Sequence, residues 1–486
     1  MAGKPTPDTD GVFSETEPQA DIVVQLKHLA LEPQTQYNDE VVSSPLLTVP
    51  LIDRSPPSQF GLFGASISGG VTSLEATRLF HNVACPSSVF ICGSQGSGKS
   101  NTLACLLENC LIPSQLGQLP HPLTGIVFHY DSFVSDSGGL PCEAAFIASH
   151  EQASVRVLCA PTNVRTIQKI YSGIPNVTIK PLKLSDDDLN TRRMNDLMAV
   201  GEGGSMPLYL HVVNRILRDM RMKQQRTGLG FSYAEFRRLL GREDLTPGQL
   251  NPLNQRLDTL ESFMAKETLG CSGQLTVVDL SCPCVTAELA CSLFNICLSL
   301  FLEQQSPIGR VVALDEAHKY MKESGESQAL TNALLETIRL QRHLGVRVLI
   351  STQEPTVSTK LLDLCSMTVV HRFTSPDWLR TLGKHLAGIS SMSVTVTDEE
   401  DEVQAVSPIP IGGKDPMMEV FSMIVSLHTG QALVFAPSAV LALHGKGVSE
   451  PAVLQRLAHR ALRVMVRSRL TRDGGRTVMA IGDSTT

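Results

Sequence analysis

The chain is poor in aromatic residues: of 486 positions, 16 are Phe, six are Tyr and one is Trp. Binding of single strands by stacking needs several aromatic faces, so the lone Trp378 offers no such platform. Basic residues are not in excess either. The formal net charge is −7, so no global positive field advertises a polyanion partner, and any nucleic-acid contact must come from local patches. Twelve cysteines are present, yet there is no Cys-x-x-Cys pair, which removes the common zinc and redox motifs. Cys282-Pro283-Cys284 is the tightest spacing, and no His or Cys partners for a metal can be placed beside it. Cys92, Cys105, Cys159, Cys291 and Cys297 lie in apolar runs, where a free thiol behaves as a small hydrophobe. That usage suggests a reducing compartment, cytoplasm or nucleus. Met1 to Asp10 is polar and lacks a signal-peptide core, so secretion is not expected. The most apolar stretch, Val285 to Leu302, contains Glu288 and Asn295. It reads as a buried helix rather than a membrane span, and no membrane partner is expected. No internal repeat is visible.

The remaining composition, 42 % hydrophobic and 18 % charged, supports a sizeable globular core. Residues 1–60 are rich in Pro, Ser, Thr and Asp and read as a largely disordered tail with short strand-like pieces. From about 75, apolar strands alternate with helices. Strands are predicted at Val89 to Cys92, Gly125 to His129, Val155 to Cys159, Gln274 to Leu280, Arg310 to Leu314, Val346 to Ser351, Thr368 to His371 and Ala432 to Phe435. Near-continuous apolar strands of this kind indicate an α/β fold, a mostly parallel sheet with helices on both faces. Residues 182–268 break the alternation and read as a helical insertion. Helices are expected at Leu208 to Met222 and from Pro252, a good first-position residue, to Ala265. The core is thus expected in two parts, 75–181 and 269–440. A flexible acidic loop is expected at 393–416, and a basic helical tail at 445–486.

Gly93-Ser94-Gln95-Gly96-Ser97-Gly98-Lys99-Ser100 is G-x-x-x-x-G-K-[ST] in full, set between an apolar strand and a helix beginning near Asn101. That context is what the motif requires. Glycines let the backbone amides curl toward phosphate oxygens, and the helix adds its positive end. Lys99 is placed for the β- and γ-phosphates, and Ser100 for Mg²⁺. The chain is therefore expected to bind a nucleoside triphosphate, with ATP and Mg²⁺ as ligands.

Val311-Val312-Ala313-Leu314-Asp315-Glu316 is an apolar strand ending in paired carboxylates. Asp315 suits Mg²⁺ held through water, and Glu316 suits the general base that activates the attacking water. Arg347 to Gln353 ends a further strand in Ser-Thr-Gln. Gln353 there is placed to touch the γ-phosphate and the lytic water. Arg339, Arg342 and Arg372 are candidates for the guanidinium that such a transition state needs. Asp131 follows a strand and could cap its end.

These motifs, in this order, resemble the HerA/FtsK group of P-loop ATPases, and the HerA-like branch most. The resemblance rests on Gly-Ser-Gly-Lys-Ser-Asn at 96–101 and Thr-Val-Val-Asp-Leu-Ser at 276–281. It continues with Leu-Asp-Glu-Ala-His-Lys-Tyr at 314–320, Arg-His-Leu-Gly at 342–345, Ser-Thr-Gln-Glu-Pro at 351–355 and Val-Val-His-Arg-Phe at 369–373. It closes on Gly-Gln-Ala-Leu-Val-Phe at 430–435. It implies an ASCE-type motor, homo-hexameric, hydrolysing ATP at subunit interfaces and moving double-stranded DNA. It also implies an arginine supplied in trans, best matched by Arg342, one beside the nucleotide, matched by Arg372, and an acidic position near the site, matched by Asp131. The N-terminal β-barrel of that group has no counterpart in residues 1–75.

Two basic clusters could serve DNA. Arg456, Arg460, Arg463 and Arg467 recur at helical spacing, and Arg215, Arg218, Arg221, Lys223 and Arg226 crowd the insertion. Both patterns also suit a solvated helix face. An engine of this kind could equally act on a protein cargo or as a nucleotide-gated assembly switch. Asp315-Glu316-Ala317-His318 also matches a DEAH-box helicase, but the interval from Lys99 is too long for it, and His318 reads instead as a support behind Glu316.

Overall fold

The computed structural model describes residues 40–67, 75, 77–135, 138–198, 209–264, 275–304, 308–321, 324–385, 416–444 and 453–474. Most of the expected tail, the acidic loop up to 415 and the stretch beyond 474 lie outside these residues.

The described chain begins with β1 (Leu46–Thr48), α1 (Val49–Arg54), β2 (Phe60–Ser66) and β3 (Arg78–Asn82). The glycine loop joins β4 (Ser88–Cys92) to α2 (Lys99–Leu111). Next come β5 (Gly117–Gln118), β6 (Thr124–His129), a 3-10 segment (Glu143–Ser149), β7 (Val155–Cys159), α3 (Val164–Tyr171) and β8 (Val177–Pro181). The insertion holds α4 (Thr191–Met198), α5 (Tyr209–Thr227), α6 (Tyr233–Leu240) and α7 (Pro247–Phe263). The core resumes with β9 (Leu275–Asp279), α8 (Ala287–Glu303), β10 (Arg310–Leu314), α9 (Gly325–Arg339), α10 (Gln341–Leu344) and β11 (Val346–Thr352). It continues through α11 (Thr359–Leu364), β12 (Met367–Val370), α12 (Pro376–His385) and α13 (Pro416–Val425). The last strands are β13 (Gln431–Phe435), β14 (Val440–His444), β15 (Val453–Arg456) and β16 (Leu462–Val466).

Among the described residues one sheet runs β1-β3-β2-β16-β13-β12-β4-β11-β10-β6-β9-β7-β8, with β5 beside β2. From β12 to β8 every pairing is parallel. From β13 to β1 every pairing is antiparallel. The parallel strands are apolar throughout because both faces are covered. Phe90 and Cys92 of β4 join the core on one face, and Val89 and Ile91 join the core on the other. The same alternation splits Val312 and Leu314 from Val311 and Ala313 in β10. The α/β architecture expected from the sequence is the one found, with helices on both faces and a helical insertion. No described helix is long and apolar enough to cross a membrane. The apolar stretch beginning at Val285 forms α8, which is buried along most of its length.

Three expectations need correction. Residues 40–60 are structured rather than tail-like: Leu47 and Leu51 bury against Val41, Phe80 and Val440. The helix expected at Pro252 starts at Pro247, because Thr246 and Gln249 form a reciprocal cap one turn earlier. Pro252 sits inside it, losing one backbone bond.

Among the described residues of 445–486, which are 453–474, the expected basic helix is absent. Arg456 ends β15, Arg460 lies in a turn, and Arg463 lies in β16. Leu462, Val464 and Val466 are buried at alternate positions, and β16 fills the gap between β13 and β2. This period of two, in β-branched and apolar residues, outweighs the spacing of the arginines. Arg456 pairs with Glu40, Arg463 donates to Gln431 Oε1 at 3.0 Å, and Arg467 is buried. They form no continuous basic stripe.

Candidate nucleotide site

The sheet order places β4, β11, β10 and β6 side by side. The segments that follow them therefore meet at one carboxyl edge, where open α/β sheets bind ligands. The glycine loop, Gln353, Asp315-Glu316 and His129 to Asp131 all leave the sheet there.

The loop closes tightly on its surroundings. Gly93 has φ +151, and a Cβ there would stand 2.6 Å from the Cβ of His371. Gly98 has φ +114, and its Cβ would stand 3.1 Å from the amide nitrogen of Gly430. Both positions need glycine for conformation and for space. The Ser94 amide and hydroxyl donate to the Arg372 carbonyl at 2.9 and 2.8 Å. Ser97 Oγ donates to the Ser94 carbonyl at 2.7 Å. Gln95 and Gly96 are exposed at the tip, and Ser100 is half-buried in the first turn of α2.

Lys99 is buried and donates to the Ser94 carbonyl at 3.0 Å. Burial pulls its pKa below the ordinary lysine value, against the opposing pull of Glu316 and Asp315. An ammonium so desolvated, held by one carbonyl, is ready to exchange that bond for phosphate oxygens. Asn101, which follows Ser100 in the expected nucleotide-binding segment, donates its side-chain amide to the Arg467 carbonyl at 3.0 Å.

Asp315 is 2 % exposed. Its Oδ2 accepts from His129 Nδ1 at 3.1 Å and from Cys142 Sγ at 3.5 Å. Burial would raise the Asp315 pKa, but the His129 hydrogen bond and its charge outweigh this and hold it below the usual value. Asp315 Oδ1 is buried with no hydrogen-bond partner. A free carboxylate oxygen beside the loop, with the Ser100 hydroxyl on the helix that follows, fits a hydrated Mg²⁺.

Glu316 adopts the left-handed conformation, φ +49 and ψ +48. Such a backbone costs on the order of 1–3 kcal/mol in a non-glycine residue and is held only by its surroundings. Its Oε2 accepts from Gln353 Nε2 at 3.1 Å. His318 Nδ1 takes the Gln353 amide at 3.3 Å and stands 3.3 Å from the same Glu316 oxygen. Burial, then the neighbouring Asp315 charge, raises the Glu316 pKa, with Lys99, Lys319 and Gln353 opposing. A raised carboxylate is a better proton acceptor for water.

Asp131 pairs with Lys319 at 3.1 Å and accepts the Phe133 amide at 3.0 Å. Arg372 is exposed and adjoins the loop through its carbonyl. Arg342 is not brought to the site. It lies exposed on α10, before β11, while Gln353 follows that strand. Seven strand residues at roughly 3.3 Å each put these ends about 20 Å apart. Arg339 closes α9 at the same far edge.

Sequence reasoning missed His371 as a support of the loop. Its Nε2 meets Thr102 Oγ1 at 2.9 Å and its Nδ1 meets the Gln431 carbonyl at 2.9 Å. Burial lowers its pKa to about 4, so the ring is neutral, with Nδ1 donating and Nε2 accepting. The Val-Val-His-Arg-Phe motif was the available signal. His129 and Cys142 had none beyond the end position of His129 on its strand.

No family model matches the sequence, and no curated protein matches it. Among solved structures, VirB4 of Thermoanaerobacter pseudethanolicus aligns at a TM-score of 0.50 and 10 % identity, covering 84 % of this chain and 96 % of that one. Plasmid coupling protein TrwB in complex with ADP and Mg²⁺ aligns at 0.43 and 12 % identity, covering 81 % and 97 %. The VirB4 likeness bears on fold. Strand order, glycine loop and carboxylate-ended β10 together define this chain as having a P-loop NTPase fold.

Proposed function

We propose that this chain is a Mg²⁺-dependent ATPase, a ring-forming motor of the HerA/FtsK type that acts on double-stranded DNA. The observation that carries the reading is the contact of Glu316 with Gln353, made across adjacent strands beside Lys99 and Asp315. The left-handed backbone of Glu316 and its raised pKa at this edge support the same reading.

In this reading the loop amides and Lys99 hold the triphosphate. Ser100 and Asp315 would hold the metal, which when bound supplies positive charge to the β- and γ-phosphates. Glu316 takes the proton of the attacking water, and Gln353 orients that water and senses its loss. Arg372 stands beside the nucleotide in the same subunit. Arg342, on the opposite edge, could reach a site only in a neighbouring subunit. That supports hydrolysis between copies of this chain in a homo-hexamer. The free cysteines suit an intracellular setting.

DNA as cargo is supported by the motif resemblance and by α5. Arg218, Arg221 and Arg226 are exposed on this helix and make no ion pair among the described residues. Arg215 and Lys223 are already paired, with Glu243 and Glu235. ATP turnover by purified protein, with and without double-stranded DNA, at low and physiological salt, tests the reading. Stimulation that fades with salt is expected. Turnover indifferent to DNA overturns the cargo and favours a protein in its place. Absence of turnover overturns the enzyme.

A further inference from the structure

We propose that His129, Cys142 and Asp315 form a site for a thiophilic divalent cation of the zinc type, and that its occupation shuts the adjoining hydrolytic site. The three residues come from separate elements: the end of β6, the residue before the 3-10 segment, and the end of β10. All are buried, and their ligand atoms lie within 4.8 Å of one another.

The geometry is that of three corners of a four-ligand shell. A tetrahedral zinc with ordinary bond lengths puts nitrogen and oxygen ligands about 3.3 Å apart, and sulfur and oxygen about 3.5 Å apart. Here the His129 Nδ1 to Asp315 Oδ2 separation is 3.1 Å, and Cys142 Sγ to Asp315 Oδ2 is 3.5 Å. The donor set of imidazole, thiol and one carboxylate suits zinc and disfavours Mg²⁺, which takes oxygen ligands.

The site is held in place from behind. The Cys142 amide donates to Tyr171 Oη at 2.9 Å, and that hydroxyl donates to Asp279 at 2.6 Å. It is also not saturated as it stands. Asp315 Oδ1 and His129 Nε2 are buried without hydrogen-bond partners.

Binding would release the thiol proton to solvent and displace from Nδ1 the proton that His129 gives to Asp315, leaving on the metal a thiolate and a neutral imidazole protonated at Nε2. The cation would also take Asp315 Oδ2, and its positive charge on the shared carboxylate would weaken the hold of the adjoining Oδ1 on Mg²⁺. This second step rests on the role proposed above for Asp315; the binding itself does not.

The test is titration of the nucleotide-free, full-length protein with Co²⁺ and then Zn²⁺. Wild type should take up one equivalent with a thiolate-to-Co²⁺ charge-transfer band, which Zn²⁺ displaces. Cys142→Ser should lose the band and bind more weakly by at least about 100-fold, the upper range for loss of even an outer partner. Cys284→Ser, at an exposed thiol, should change nothing. A wild type without the band overturns the site, whatever the variants do, and so does a band that survives in Cys142→Ser. Where Mg²⁺-ATP turnover is measurable, Zn²⁺ should inhibit it and a chelator restore it, with at least tenfold more Zn²⁺ needed in Cys142→Ser. Turnover untouched by bound Zn²⁺ overturns the shut-off alone. Absence of any turnover condemns the ATPase reading and leaves the Co²⁺ band to decide the site.

Discussion

Arg467 and Glu108 form a buried ion pair, 2.7 Å between NH1 and Oε2, that ties the end of β16 to the helix starting at the glycine loop. Neither charge is left wanting. Glu108 also accepts from the Leu470 and Thr471 amides and the Thr471 hydroxyl. Arg467 also donates to the carbonyls of Leu62, Cys105 and Ser468 and to Asn109. Removing one partner strands the other, at about 3–5 kcal/mol. Arg467→Ala should lower Tm by many degrees, whereas Arg456→Ala, at an exposed pair, should cost under about 1 kcal/mol. Thermal and denaturant melts of the two variants check this.

Glu316→Gln should cut ATP turnover by about 10²–10⁴-fold while nucleotide binding survives. The variant keeps the side-chain shape and removes the proton acceptor. Turnover beside binding of a fluorescent ATP analogue separates the two. Loss of both would remove Glu316 from the role of base.

Lys99→Ala should act on binding itself. Loss of charge-assisted hydrogen bonds worth about 1.5–3 kcal/mol corresponds to roughly 10–100-fold weaker ATP affinity. Calorimetry at fixed Mg²⁺ gives the number.

Stability should fall on mild acidification. Burial lowers the pKa of both His371 and His81 from 6.5 to about 4. Between these values the unfolded chain binds protons that the folded chain refuses, so stability drops as pH falls through that window and is unaffected above it. Each ring accounts for at most about 3 kcal/mol. His81, with both ring nitrogens unpartnered, and His371 should each flatten the Tm-against-pH curve when replaced by Gln.

Arg342→Ala should abolish turnover only in the assembled state. Mixing it with Glu316→Gln protein should restore part of the activity, since an intact Glu316 and an intact Arg342 can then meet at some interfaces. Failure of mixing to restore activity, or normal turnover of Arg342→Ala alone, removes Arg342 as the partner-supplied arginine.

The strands were legible because they are buried on both faces. Runs such as Val-Val-Ala-Leu at 311–314 leave few other readings once Gly, Pro and charge bound them. The C-terminal arginines were not, since four charges at helical spacing masked a short alternation at Leu462, Val464 and Val466. Strands of this length bear only two or three residues per face, and their pairing partners, β13 and β2, are far away in sequence.

Chemistry that depends on neighbours along the chain could be read from the residues alone. The glycine loop with its Lys99-Ser100 pair is one contiguous segment and Asp315-Glu316 is another, and contiguity fixes the geometry within each strand–turn unit. What depends on strand order came from the fold. It set Gln353 on Glu316, His371 under Gly93, and Cys142 beside His129 and Asp315. It also buried Arg467 against Glu108, because a long charged side chain enters a core only where an opposite charge already waits, and nothing local to Arg467 announces one.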